Sequence, residues 1–179
     1  MSRSKGAVRA ASAVLTVLIP FFALLAISGV VLFWGFGVHR IGNAALGENF
    51  IVLLDQPPVP ERRLYGLVAT LPALLFWLYA SWRLFLMFRA FHTGPLIGPV
   101  TIRHLRAYAL FSALAVLSAF LLSGVMRWAL GQFDDAPLWT HLGFSVTHGL
   151  MLFSSAILYV ASHVIEEGYA YRKETEEYV

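Results

Sequence analysis

Four solidly apolar runs, each of twenty or more residues, alternate with shorter polar stretches along the chain, falling at Ala13 to Gly35, Tyr65 to Met87, Ala107 to Leu130 and Phe144 to Ile165. Each run is long enough to cross a hydrocarbon core about 30 Å thick as a helix rising about 1.5 Å per residue. A backbone in lipid must satisfy its own hydrogen bonds, so all four are predicted to be helices. A β-barrel would show segments of about ten residues alternating apolar and polar, which these runs do not. The expected fold class is all-α: a polytopic membrane protein with four transmembrane helices in one domain over residues 1–179. The connections are a loop over 36–64, an elbow over 88–106 and a tail over 166–179. Pro20 and Pro72 lie inside the first two runs, where neighbouring helices tolerate the lost hydrogen bond at the cost of a kink.

The basic residues orient these helices. One side collects Arg3, Lys5, Arg9, Arg83, Arg89, Arg103, Arg106, Arg172 and Lys173, and the other Arg40, Arg62, Arg63 and Arg127. Nine against four predicts both termini in the cytoplasm. Trp34, Tyr65, Trp128 and Trp139 then fall at the outer boundary, where amphipathic rings favour the headgroup layer. In the outer loop, Phe50 to Leu54 form an apolar patch suited to lying along the membrane, followed by three prolines that hold the backbone extended or turned. In the elbow, Gly94, Pro95, Gly98 and Pro99 break helix, and Thr101 is expected to begin the next one. The tail mixes both charge signs at helical spacing and continues the last helix.

Composition narrows the classes. The chain is 59% apolar and 13% charged, against about half and a quarter in soluble domains. It has no cysteine, which removes disulfides, thiolate metal sites and cysteine nucleophiles. The pI near 9.4 arises from basic residues at the ends of the apolar runs, so membrane topology explains it and direct nucleic-acid binding is not expected. The basic N-terminus resembles the front of a signal peptide. The apolar run continues through Phe33 without a short core and cleavage site, and the segment is expected to be retained as the first helix.

Candidate chemistry is sparse. His148, near the outer end of the fourth run, is the sharpest intramembrane candidate, because ionisable groups in lipid are costly and mark function. Its alternatives are a neutral imidazole bonded to a neighbouring helix or interfacial water, a pH sensor, and a haem or metal ligand. No second intramembrane histidine lies on the other runs to complete a bis-histidine haem, and His92, His104 and His163 gather only loosely near the cytoplasmic side, so no cofactor and no metal are expected. Arg127 is expected to snorkel to the outer headgroups, screened by Asp134 or Asp135, with substrate gating as the alternative. Ala115, Ala119 and Ser123 put small side chains on one face of the third run, which permits close helix approach. The chain carries no P-loop, dinucleotide fingerprint, HExxH or nucleophile elbow, and an enzyme is not expected.

Two stretches, LFLMFRAFHTGPLIGPVTIRHLRAYAL and LYVASHVIEEGYAYRKETEEYV, together resemble the domain-of-unknown-function 2975 family of small bacterial inner-membrane proteins. Gly94, Arg103, Leu105 and Arg106 match the elbow of that family, and His163, Val164, Gly168, Glu174 and Glu176 match its closing tail. PLIGPVTI departs from the family's usual elbow, where a Phe followed by Ser or Thr comes after the glycine. The resemblance implies a multi-pass protein of the bacterial inner (cytoplasmic) membrane associated with a small soluble helix-turn-helix regulator. Gly94, Arg103, His104, Arg106, His163, Glu166 and Glu167 are the candidates for docking that partner, or for locking the helices together. A transporter or an accessory subunit of a larger membrane complex, homo-oligomeric or bound to other subunits, is the competing expectation. A haem or quinone redox subunit is the third.

Overall fold

Helix is the form each apolar run takes in the computed structural model, which describes residues 2–37, 58–93, 98–132, 137 and 142–177, with side chains over 10–37, 58–91, 98–132, 137 and 142–171. The stretch Phe50 to Leu54, Arg40, Gly94, Asp134, Asp135 and Trp139 lie outside the described residues, as do the side chains of His92, Arg172, Lys173, Glu174 and Glu176. The described residues are helical, with no strand among them: α1 (Ser2–Val30), α2 (Arg63–Thr93), α3 (Pro99–Ala129) and α4 (Val146–Glu177). All four are long and apolar enough to cross a membrane. α1 and α2 run through Pro20 and Pro72 without a break in helix.

The helices reach further than the apolar runs. Pro60–Arg62 forms a tight 3-10 turn that leads into α2, and α2 continues to Thr93, so the last residues of the expected loop and much of the expected elbow are helix. Thr101 does not start α3. Gly98, extended at φ −157°, precedes Pro99 at the first helical position, where proline's fixed φ and missing N–H carry no penalty. α1 ends in a widened turn with π geometry over Val31–Gly35, followed by Gly37 at φ 72°, whose N–H donates to the Phe33 carbonyl at 3.0 Å.

Each helix packs on its neighbour in sequence: α1 on α2, α2 on α3 and α3 on α4. The result is an antiparallel row and not a closed four-helix ring. α2 and α3 form its centre, because buried residues recur there every seven positions, small ones at Gly66, Ala73, Ala80, Ala109 and Ser123. Gly66, Ala73, Ala80 and Met87 are buried on α2, and Ile102, Ala109, Val116 and Ser123 on α3, with Leu130 following in register. A period of seven keeps one face of each helix turned to a partner, and side chains this small let the backbones approach closely, which is what drives association in lipid. Toward the outer end a core cluster of Val30, Phe33, Trp34, Ala69, Met126, Ala129 and Leu130 closes α1, α2 and α3 together. Trp34 is therefore 5% exposed and belongs to this core, contrary to the expectation that it faces the headgroups.

Candidate functional site

At the face expected to be external the end of α3 is sealed by hydrogen bonds. Gly131, at φ 69°, gives its N–H to Trp128, and Gln132 gives its own to Arg127, a Schellman arrangement that only a left-handed residue allows cheaply. The Val59 N–H reaches the Ala129 carbonyl at 3.2 Å, and the Arg62 guanidinium reaches the Trp128 carbonyl at 3.3 Å while lying over the Trp128 ring. Tyr65 meets the same ring edge-on. The orphan carbonyls of a helix end are thus satisfied by the segment that begins α2.

α4 begins deeper than α3 ends. The Gly143 N–H donates to Ser123 Oγ at 3.2 Å, and Phe144 packs edge-on against Phe120. Ser123 precedes Arg127 by four residues, about 6 Å along the helix. The first turn of α4 therefore opens below the outer boundary, where its free N–H groups have little water to bind. Ser145 and His148 resolve this as a capping box with imidazole in the usual Glu or Gln position. Ser145 Oγ accepts from the His148 N–H at 3.3 Å, and His148 Nδ1 accepts from the Ser145 N–H at 3.1 Å. An accepting Nδ1 places the ring proton on Nε2. His148 thus bonds the start of its own helix. The Arg127 guanidinium lies beside Gly143, leaving no room there for a Cβ, and so ties the end of α3 to the segment that leads into α4.

At the opposite face α3 and α4 are clasped. The Arg106 guanidinium pairs with the Glu166 carboxylate, sits 3.2 Å from His163 Nδ1 and reaches fully buried Ser162 Oγ at 3.5 Å. Ser162 is in turn fixed by donating to the Tyr159 carbonyl at 2.6 Å, and the Tyr159 ring meets His163 edge-on. Arg106, His163 and Glu166 are therefore brought together as one group, while Arg103 and Glu167 remain on the exposed surface. His104 lies between them and α2, its Nδ1 buried without a hydrogen-bond partner among the described residues. Arg83 stacks on and donates to Tyr79. No group of three histidines, aspartates or glutamates converges on a common point among the described residues.

Two features escaped the sequence reading. Ser162 and Tyr159, which complete the clasp, look like any residues of an apolar run, and only their spacing of three from each other and of four from Glu166 to Ser162 marks one helix face. The second is a cavity of about 300 Å³ between α2, α3 and α4, with Ala115 and Ala119 in its wall. Comparison with protein-family models, with curated proteins and with solved structures finds no match for this chain.

Proposed function

We propose that this protein is a non-enzymatic regulatory protein of the bacterial cytoplasmic membrane, with both termini inside, that holds a soluble partner at its cytoplasmic face. The observation that carries the reading is the clasp. By tying Arg106 to Ser162, His163 and Glu166, it fixes where α4 leaves the membrane, and α4 then continues eleven residues beyond Glu166 to Glu177, about 16 Å of helix. A helix held at its root is a suitable post for a protein partner, because less order is lost on binding. Arg106, His163 and Glu166 serve as the lock, and Arg103 and Glu167, exposed beside it, serve as the docking charges. The partner that fits the resemblance to the domain-of-unknown-function 2975 family is a small helix-turn-helix regulator, with its DNA contacts made by that partner and none by this chain.

The test is in-cell crosslinking at the elbow followed by purification in mild detergent and mass spectrometry. A small soluble DNA-binding protein is expected, and it is lost when Arg103 and Glu167 are reversed in charge. Arg106 is unsuitable for that test, since reversing it also opens the clasp. A second reading, an accessory subunit of a larger complex, is favoured by the open row of helices, which leaves apolar side chains of α1 such as Val17, Phe21 and Leu24 uncovered by the chain itself. Recovery of membrane subunits alone, or of further copies of this chain, supports that second reading.

A further inference from the structure

The cavity between α2, α3 and α4 lies along α3 from Tyr108 to Ala119, the central third of that helix, and so near the middle of the bilayer. Its wall is unusually polar for that depth. Trp77, Tyr108, Ser112, His148, Ser154 and Ser155 all contribute to it. Ser154 bonds back to the Leu150 carbonyl, but Trp77, Tyr108, Ser112 and Ser155 have no hydrogen-bond partner among the described residues. Ser155, only 5% exposed as a residue, lines the cavity without an internal hydrogen bond of its own. Four such groups around one space leave donors and acceptors free to bond an occupant with polar atoms.

The chemistry of the wall selects the occupant. Indole N–H and the Nε2–H of His148 can only donate, and the serine and tyrosine hydroxyls can donate as well, so the ligand must accept. No Lys, Arg, Asp or Glu lines the cavity, which leaves nothing to offset a ligand's charge. Trp77 and Tyr108 offer ring faces to a flat group. Leu150 and Met151, both at the cavity and exposed on α4, open it toward lipid, so a long tail can leave sideways. A volume near 300 Å³ is at the small end of ligand pockets and suits a single ring.

We propose that this cavity binds the head of a neutral, lipid-soluble carbonyl compound of the isoprenoid quinone type, with its ring against Trp77 and Tyr108 and its carbonyls accepting from Ser112, Ser155 and His148. The site deepens the regulatory reading by giving the membrane part a ligand to sense. Binding is measured on this protein alone, so its failure leaves the docking reading untouched, and failure of docking leaves the site untouched.

The experiment uses the full chain in lipid nanodiscs, titrated with a short-chain benzoquinone while tryptophan fluorescence is followed, with an alcohol of equal tail length as the control. Saturable quenching by the quinone and none by the alcohol is expected. The saturable part is expected to disappear in Trp77→Phe and to need about tenfold more ligand in Ser112→Ala and in Ser155→Leu, which fills the space. Helical circular dichroism separates weakened binding from misfolding, and Ser112→Ala decides the matter should Ser155→Leu fail to fold. Quenching that rises without saturation, or that is the same in wild type, Ser112→Ala and Trp77→Phe, overturns the proposal and leaves a cavity that holds only water.

Discussion

At the scale of the residue, glycine decides where rings and helix ends can go. A Cβ on Gly66 would stand 2.0 Å and 2.2 Å from two ring atoms of Trp34, a rigid and buried side chain with no free rotamer to retreat into. Gly66→Ala is expected to expel Trp34 from the outer core cluster and to destabilise the protein by about 1–3 kcal/mol, the usual cost of overpacking. Gly168 provides the contrast, since nothing lies within 4 Å of its Cβ position and it sits inside α4. Gly168→Ala is expected to stabilise by up to about 1 kcal/mol through helix propensity alone. Unfolding of both variants in the same detergent, followed by near-ultraviolet circular dichroism for Trp34 and far-ultraviolet for helix, checks the pair. Similar shifts of the same sign in both would show that Trp34 is not seated on Gly66. Neither role was legible beforehand. Tryptophan near a helix end reads as an interfacial anchor, and only the seven-residue spacing of Gly66, Ala73 and Ala80 hints that Trp34 has a flat surface to lie on. His148 was legible as unusual but not as a cap, because the Ser-x-x-Glu signature is searched for with a carboxylate or carboxamide and here the acceptor is an imidazole nitrogen.

At the scale of the element, the four helices were readable because runs of this length and apolarity leave the backbone one option in lipid. Their pairing was not. Hydropathy is nearly uniform around α2, so the side that meets α3 is marked by size and not by polarity, a weaker signal that disappears among the many alanines of the chain. The α3 to α4 contact is marked differently, by Arg106 and Glu166, whose opposite charges sit at matching depths on adjacent antiparallel helices. That matching makes the clasp testable by exchange. Arg106→Glu or Glu166→Arg alone places like charges together and is expected to loosen the clasped ends of α3 and α4, while the double exchange restores the pair. The chain has no cysteine of its own, so spin labels can be placed cleanly at Leu110→Cys and Val164→Cys, both exposed. Broad distance distributions in each single exchange and a narrow one in the double exchange are expected. Equally narrow distributions in all of them would mean that Ser162, His163 and apolar packing hold the helices without the ion pair, and that the post beneath Glu167 needs no lock.

At the scale of the whole molecule, the cationic residues outline a slab. Arg106 and Arg127 on α3 are 21 positions apart, about 31 Å of helix, which matches the thickness of a hydrocarbon core. Arg62, in the turn just before α2, lies at Trp128, level with the end of α3, and Arg83 on α2 falls a similar distance away. Four helices in an antiparallel row bring the first and last ends to the same face, and the basic residues argue that this face is cytoplasmic. The clasp, exposed Arg103 and Glu167, and the extension of α4 all belong to that face, so the docking reading depends on its orientation. Single cysteines at Gln132 and Glu167, each exposed and on opposite margins, separate the two orientations. A membrane-impermeant maleimide added to intact spheroplasts is expected to label Gln132→Cys and to leave Glu167→Cys unreacted until the membrane is opened. The reverse pattern would turn the clasp outward, where no cytoplasmic DNA-binding partner can reach it, and would remove the regulatory reading while leaving the cavity at the centre of the slab unaffected, since a site reached through lipid has no preferred side.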